Sequence, residues 1–310
     1  MVNESHPMRL FKRLKDVASS TRDVVHPARW SAAGGNRSER NAESDRQHKH
    51  DKRMNENLLS KARLAENGLP VPTTYVRVAS EKEIRDAWST IQDLRSFVLK
   101  RVDGRGESKT LVLEREEMGT STVWRSATGQ VLTAQDVQRY MAHLVTGGSR
   151  DAEDGQVVVE YRVTVDDMFY QIYPRGLSYI SVITYQGEPK FAMVVVPTDA
   201  SKGRADIDQG ALGVGVDIAT GKMHPAYDSE GFLAEHPDTY SSIEGVRIWR
   251  WEQLLDLAKK TASALPFDYL SMDLVVDAHR GPLVMNVDSR PPVDVQGLSA
   301  RGLHELLSEI

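Results

Sequence analysis

Two carboxylates and an amide stand close together near the end of the sequence. In YLSMDLVVDAHRGPLVMNVDSRPP, residues 269–292, two β-branched apolar runs flank the polar turn Asp277–Pro282, the pattern of an antiparallel hairpin with a short loop. Counting back from the turn sets Asp273 roughly opposite Asn286, and strand alternation places Asn286 and Asp288 on one face. Three oxygen-bearing side chains would then share a patch whose other positions are Leu, Val and Met. That arrangement is expensive unless a cation or a polar ligand is held there. Arg290 follows on the same alternation before Pro291 and Pro292 stop the strand. The plainer reading, solvated edge residues at the end of a hairpin, stands beside it.

A second group is cationic. Lys100 lies in the strand-like run SFVLKRV, and DGRGESK after it is a glycine-containing loop. A strand lysine so placed can bring a point charge to the α and β phosphates of a nucleoside triphosphate while loop amides close over the β and γ groups. GxxxxGK followed by Ser or Thr is absent, so this is no P-loop, and a simple hairpin turn is the alternative. Further on, Glu160-Tyr161-Arg162-Val163 ends an apolar strand; such a strand-to-loop hinge offers N–H and C=O groups to an adenine edge. The glycines of PTDASKGRADIDQGALGVGVDIATG lead into a strand and a turn instead of a helix, so the dinucleotide fingerprint fails on context.

The elements that must position these groups follow from periodicity. Leu58, Leu59, Ala62 and Ala65 mark a helix ended by Gly68. Ser80 and Glu83 form a capping box for a helix with Ile84, Ala87, Trp88 and Ile91 on one stripe. SFVLKRV and TLVLERE predict strands, a helix starting near Thr133 turns Val137, Tyr140, Met141 and Leu144 inward, and QVVVEYRV closes the unit as a buried strand. This is an α+β module of two helices and three or four strands. MFYQIYP, LSYISVITYQ and KFAMVVVP predict a meander with a turn at Gln186-Gly187, followed by the strand VGVDI. A helix over Trp251–Leu265 turns Leu254, Leu255, Ala258 and Ala262 inward, then come the hairpin and a last helix over Leu303, Leu306 and Leu307.

The 310 residues, 40% hydrophobic, suffice for a sizeable core, and a net charge of -5 argues against a nucleic-acid partner. With no cysteine there is no disulfide framework and no thiolate chemistry, which predicts a cytoplasmic protein. The longest apolar runs fall short of the roughly 20 residues of a membrane span, and no signal peptide is evident. Residues 8–18 predict a weakly populated basic amphipathic helix, with a weak surface or partner contact as the alternative. From Gly34 to about Asn57 the composition predicts disorder.

The closing hairpin resembles that of ATP-grasp enzymes, specifically the alpha-L-glutamate ligase-like, sugar-transfer-associated branch. In that family an acid, a Glu-x-Asn pair and Arg-Pro-Gly hold magnesium and the nucleotide phosphates; here the matching residues are Asp273, Asn286, Asp288, Arg290, Pro291 and Pro292, with acid and amide exchanged. The resemblance covers roughly residues 56–307 and is most specific at GLPVP, GALGVGVDIATG and the DLVVD-to-SRPP run. It implies an α+β ATP-grasp fold: a mostly disordered tail over 1–55, a small subdomain over 56–163, a C-terminal subdomain over 164–310, and the nucleotide cleft between the two. It further implies Lys100, Gly104 and Gly106 on the phosphates, Glu160 and Val163 around adenine, Asp167 on the ribose, and Arg204, Asp206 and Gln209 facing the acceptor and acyl phosphate. The implied cofactors are ATP and Mg2+.

Departures from the pattern are equally plain. Glu56-Asn57 stands where the family opens its first helix with Asp-Lys, Val195 replaces an arginine, Arg101, Glu107 and Lys109 stand where a proline and two glycines belong, and Pro292 replaces a glycine. The resemblance thus implies an ATP-dependent carboxylate–amine ligase acting through an acyl phosphate on small carboxylate and amine substrates. Arg204 and Arg290 would meet the developing charge. The departures motivate an alternative, a degenerate ATP-grasp protein serving as a binding or regulatory subunit, and the same machinery could phosphorylate a hydroxyl. Because residues 1–55 are too polar to build a substrate domain, selection would depend on the ATP-grasp core or on a protein partner.

Overall fold

The computed structural model describes residues 57–102, 110–146, 156–227 and 231–288. The expected N-terminal tail with its basic helix, the glycine loop carrying Gly104 and Gly106, the segment carrying Arg290, and the helix over Leu303–Leu307 lie outside the described residues. The chain divides into two compact units, Asn55–Thr164 and one that includes Val165–Ile310.

In the first unit the order is α1 (Asn57–Glu66), β1 (Thr74–Val78), α2 (Ile84–Ile91), β2 (Ser96–Val102), β3 (Thr110–Met118), β4 (Ser121–Ser126), β5 (Val131–Leu132), α3 (Ala134–Val145) and β6 (Gln156–Tyr161). All six strands pair antiparallel in the order β1-β6-β2-β3-β4-β5. The expectation of two helices and three or four strands is therefore too small: β4 and β5 extend the sheet, and α1 belongs to the unit. α1 stops as predicted, with Gly68 at φ +71, Gly68 N–H on Ala65 C=O and Leu69 N–H on Leu64 C=O, the paired bonds of a Schellman end.

The box expected at Ser80 is only half made. A 3-10 turn over Glu81–Glu83 precedes α2, the Ser80 hydroxyl donates to Glu83, and the Glu83 carboxylate accepts the Ala79 N–H at 2.8 Å. A complete box forms instead at Thr133 and Asp136, opening α3. Ile84, Ala87, Trp88 and Ile91 of α2 and Val137, Met141 and Leu144 of α3 pack in one core with Phe97, Leu99, Val157 and Val159. Since neighbours on a strand point to opposite faces, Val98, Lys100, Val158 and Glu160 are left on the other side of the sheet. The register confirms it: Val98 pairs with Glu160 and Lys100 with Val158.

The second unit contains α4 (Asp167–Ile172), β7 (Tyr179–Tyr185), β8 (Glu188–Val196), β9 (Leu212–Val216), β10 (Met223–Tyr227), β11 (Phe232–Leu233), α5 (Trp251–Ala264), β12 (Tyr269–Asp277) and β13 (Gly281–Asp288). Its seven strands run in the order β11-β10-β9-β8-β7-β12-β13. MFYQIYP, expected as a strand, is the short helix α4: the Asp166 side chain caps it by accepting the Met168 N–H at 3.0 Å, which outweighs the β-leaning aromatics. Gln186 and Gly187, both at positive φ, make the primed turn of the β7–β8 hairpin.

α5 buries Leu254, Leu257 and Ala258 against the sheet face of Ile180, Val182, Met272 and Leu274. Leu257, not the half-buried Leu255, is the inward residue on that turn. Its first residue, Trp251, donates Nε1–H to Ile218 C=O at 2.9 Å and lies on Gly221, where a Cβ would come within 2.5 Å of the indole. Glycine is doubly required there, because φ is +72. Among the described residues no helix is long and apolar enough to cross a membrane.

Candidate functional site

Each unit carries one polar cluster on the sheet face opposite its helical core. In the first unit the cluster is a buried ion triad. Lys61, from α1, donates to both oxygens of Glu160, at 2.9 and 3.0 Å, and Lys100, from β2, reaches the second oxygen at 3.0 Å. Glu160 is 2% exposed and Lys61 7%, so these charges are largely out of water. Burial alone would raise the Glu160 carboxyl, but Lys100 and Lys61 outweigh it and hold it below the usual range. The opposite balance holds at Lys61. Burial and the charge of Lys100 bring its ammonium down to about 8, because the one carboxylate it meets is shared. Two cations against one anion leave the cluster with a surplus positive charge, the electrostatic profile of an anion site.

In the second unit the hairpin meets the expectation, with one refinement. Asp273 pairs with Asn286 and Ser271 with Asp288, while Leu274 pairs with Val284; Met285 is therefore an extra residue, a β-bulge. Asp273 also pairs with Ser181 on β7, so Ser181, Asp273 and Asn286 form a row across three strands. Asn286 Nδ2 donates to Asp273 Oδ2 at 3.2 Å, and the Ser181 and Ser271 hydroxyls are 3.2 Å apart. Burial pushes the half-buried Asp273 carboxyl up to about 6; hydrogen bonds from Asn286 and Ser181 pull against it, and the charge of Asp288 adds to it. Among the described residues Asp273 thus faces an amide, a hydroxyl and another acid.

The loop before β9 lies over the same face, since Ala205 and Ile207 pack on Ile183, Phe191, Met193 and Val195. Arg204 Nη1 donates to Gln209 Oε1 at 3.3 Å and Gln209 Nε2 donates to Asp206 Oδ2 at 2.6 Å, so these three form one chain of hydrogen bonds. Tyr179 stands near both groups: burial, then Asp273 and then Asp206, push its phenol well up.

Of the other sequence-predicted residues, Val163 is buried just past the end of β6, and Asp167 is exposed in the first turn of α4. Gly104, Gly106 and Arg290 lie outside the described residues. Sequence reasoning missed Lys61, Tyr179, Ser181 and Ser271. The signal for Lys61 was its place three residues before the buried Leu64, which puts it on the inward stripe of α1. Asp273, Asn286 and Asp288 offer hard oxygen donors of the kind magnesium takes, and two acids beside an amide fit a cation there. Among the described residues no group of three or more His, Cys, Asp or Glu side chains gathers as a metal centre.

The sequence profile described as sugar-transfer associated ATP-grasp matches residues 38–310. Among curated proteins none matches the chain. Similar solved structures include the ATP-grasp ligase PsnB complexed with minimal precursor, 13% identical, covering 82% of this chain and 57% of that one, with a TM-score of 0.44. D-cycloserine synthetase DcsG is 16% identical over 82% of this chain and 68% of its own, with a TM-score of 0.43. N5-carboxyaminoimidazole synthetase from Staphylococcus aureus, complexed with ADP, is 13% identical over 77% and 45%, with a TM-score of 0.43. The chain therefore spans little more than half the length of PsnB.

Proposed function

Because the chain belongs to the sugar-transfer associated ATP-grasp family and has its fold, we propose that it is an ATP-dependent carboxylate–amine ligase. The observation that supports this most is Asp273, a half-buried carboxylate raised to about 6 beside an amide, two hydroxyls and a second acid. Such a group is costly without a cation and favourable with one. Asp273, Asn286 and Asp288 would hold magnesium, which when bound neutralises charge on the transferring phosphoryl group.

The chain's own residues do the rest. Lys100 and Lys61 hold the phosphates, the role that the family resemblance also implies for Gly104 and Gly106. The backbone around Val163 meets the adenine edge and Asp167 the ribose. Arg204, held by Gln209, and Arg290 steady the charge on the substrate carboxylate. A carboxylate oxygen bonds to the γ-phosphorus as its bond to ADP breaks; an amine nitrogen then bonds to the acyl carbon, phosphate departs with the electron pair, and a proton is released. Catalysis is positioning plus electrostatics, with no covalent bond to the protein.

The test is to supply ATP, magnesium and a pool of amino acids whose carboxylates carry 18O. ADP formation that depends on the pool, with 18O appearing in the released phosphate, supports the reading; ADP formation without transfer of label overturns the acyl phosphate. One observation favours the degenerate alternative: Val195, standing where the family carries an arginine, is fully buried in an apolar cluster. That alternative predicts magnesium-dependent nucleotide binding with no ADP released from any pool.

A further inference from the structure

We propose that Gly176 is a positioning residue: with Tyr173 and His236 it seats the loop between β8 and β9, so that Arg204 is presented from a shelf already set before substrate binds. The role of Arg204 rests on the ligase reading above, and the geometry lies wholly within the second unit. The loop is closed at its neck, where the Thr198 hydroxyl donates to Gly210 C=O at 2.7 Å. Its root is held from outside. His236, fully buried, donates Nε2–H to Pro197 C=O at 2.9 Å and accepts the Asp238 N–H on Nδ1 at 3.2 Å. The imidazole stacks on Tyr173, ring centroids 5.1 Å apart, and the Tyr173 hydroxyl donates to Asp199 Oδ1 at 2.8 Å. The Asp199 N–H in turn donates to Asp238 Oδ2 at 2.8 Å.

Arg204 itself is set by the residue before it. Gly203, at φ +74, donates its N–H to Thr198 C=O, and the Arg204 N–H donates to Ser201 C=O. Gly203 lies directly on the turn that follows Tyr173. A Cβ on Gly203 would come within 2.5 Å of the Arg175 carbonyl oxygen, and one on Gly176 would strike the Gly203 carbonyl oxygen and come within 2.8 Å of the Pro197 ring. Gly176 has no positive φ, so close approach alone demands glycine there. A guanidinium carried on a fixed backbone loses less freedom when it meets a carboxylate, which is what the shelf contributes.

The experiment uses Gly176→Ala, which lifts the shelf without altering any charge, in two measurements: amide hydrogen exchange of the ligand-free protein, and half-saturation by ATP and by the amino-acid pool in the ADP-release assay. In wild type the Gly203 and Arg204 amides should be protected without ligand. In the variant they should exchange faster by about fivefold or more, with β8 and β9 unchanged, and half-saturation by the pool should rise about tenfold or more with that by ATP unmoved. Wild-type loop amides exchanging as fast as those of an unstructured peptide overturn the proposal, as does a shift in both half-saturating concentrations or in neither. Should Gly176→Ala not fold, Tyr173→Phe keeps the ring and removes only the bond to Asp199. A smaller rise for the pool alone then supports the shelf, and a shift in both or in neither overturns it. If no pool yields ADP with wild type, the ligase reading fails by itself, and exchange alone decides: protection in wild type that the variant loses supports a preset shelf, and its absence overturns it.

Discussion

The two polar clusters treat charge in opposite ways. The Lys61–Glu160–Lys100 triad carries its own counter-ion at about 3 Å and is largely out of water, whereas among the described residues Asp273 meets an amide, a hydroxyl and another carboxylate. A group with its counter-ion built in is structural before it is functional. A carboxylate set beside another acid favours the arrival of a cation. The lysine cluster should therefore matter for both folding and phosphate binding, while the carboxylate cluster should matter for function at a cost to the free protein.

The largest expected effect comes from Asp273→Asn, which keeps the shape and removes the charge. Magnesium-dependent ADP formation should drop by roughly 100-fold or more, in line with the several kcal/mol a bound metal contributes, read in a steady-state assay against magnesium concentration. Next, Lys100→Met should weaken ATP by about 10- to 150-fold, one charge-assisted contact of about 1.5–3 kcal/mol, measured by calorimetry at fixed magnesium. An equal loss from both substitutions in the absence of magnesium would erase the contrast between the clusters.

A third effect is on stability. The folded-state pKa of Asp273, about 6, stands above the ordinary 3.8, so the folded chain binds that proton more tightly. The contribution is fully present below the ordinary value and lost as pH rises through about 6. At pH 8 without metal, Asp273→Asn should be more stable than wild type by roughly 1–3 kcal/mol, and the gap should narrow below about pH 6 and close only as pH falls to the ordinary value of 3.8. Thermal melts across that range check it. The smallest effect sharpens the contrast from outside: Lys260→Ala, which removes an exposed pair with Asp256, should shift stability by less than about 0.5 kcal/mol.

What the sequence disclosed follows the range of the forces involved. The closing hairpin was legible because alternation and a polar turn are local, and they set Asp273 against Asn286. The bulge at Met285 was not, since it depends on how β12 is also drawn against β7. MFYQIYP misled because its aromatics favour a strand, while a single capping aspartate decides for a helix. β5 is two residues long and exists only through β4. Lys61 was hidden for the plainest reason: its partner lies ninety-nine residues further along the chain, and no local pattern marks a helix lysine as the mate of a distant strand acid.

The most direct test of the account is calorimetric titration of ATP into wild type and Asp273→Asn, with and without magnesium. The account predicts that magnesium tightens ATP binding to wild type and leaves the variant's weaker binding nearly unmoved. Equal magnesium dependence in both proteins, or no ATP binding by wild type at millimolar nucleotide, would contradict it.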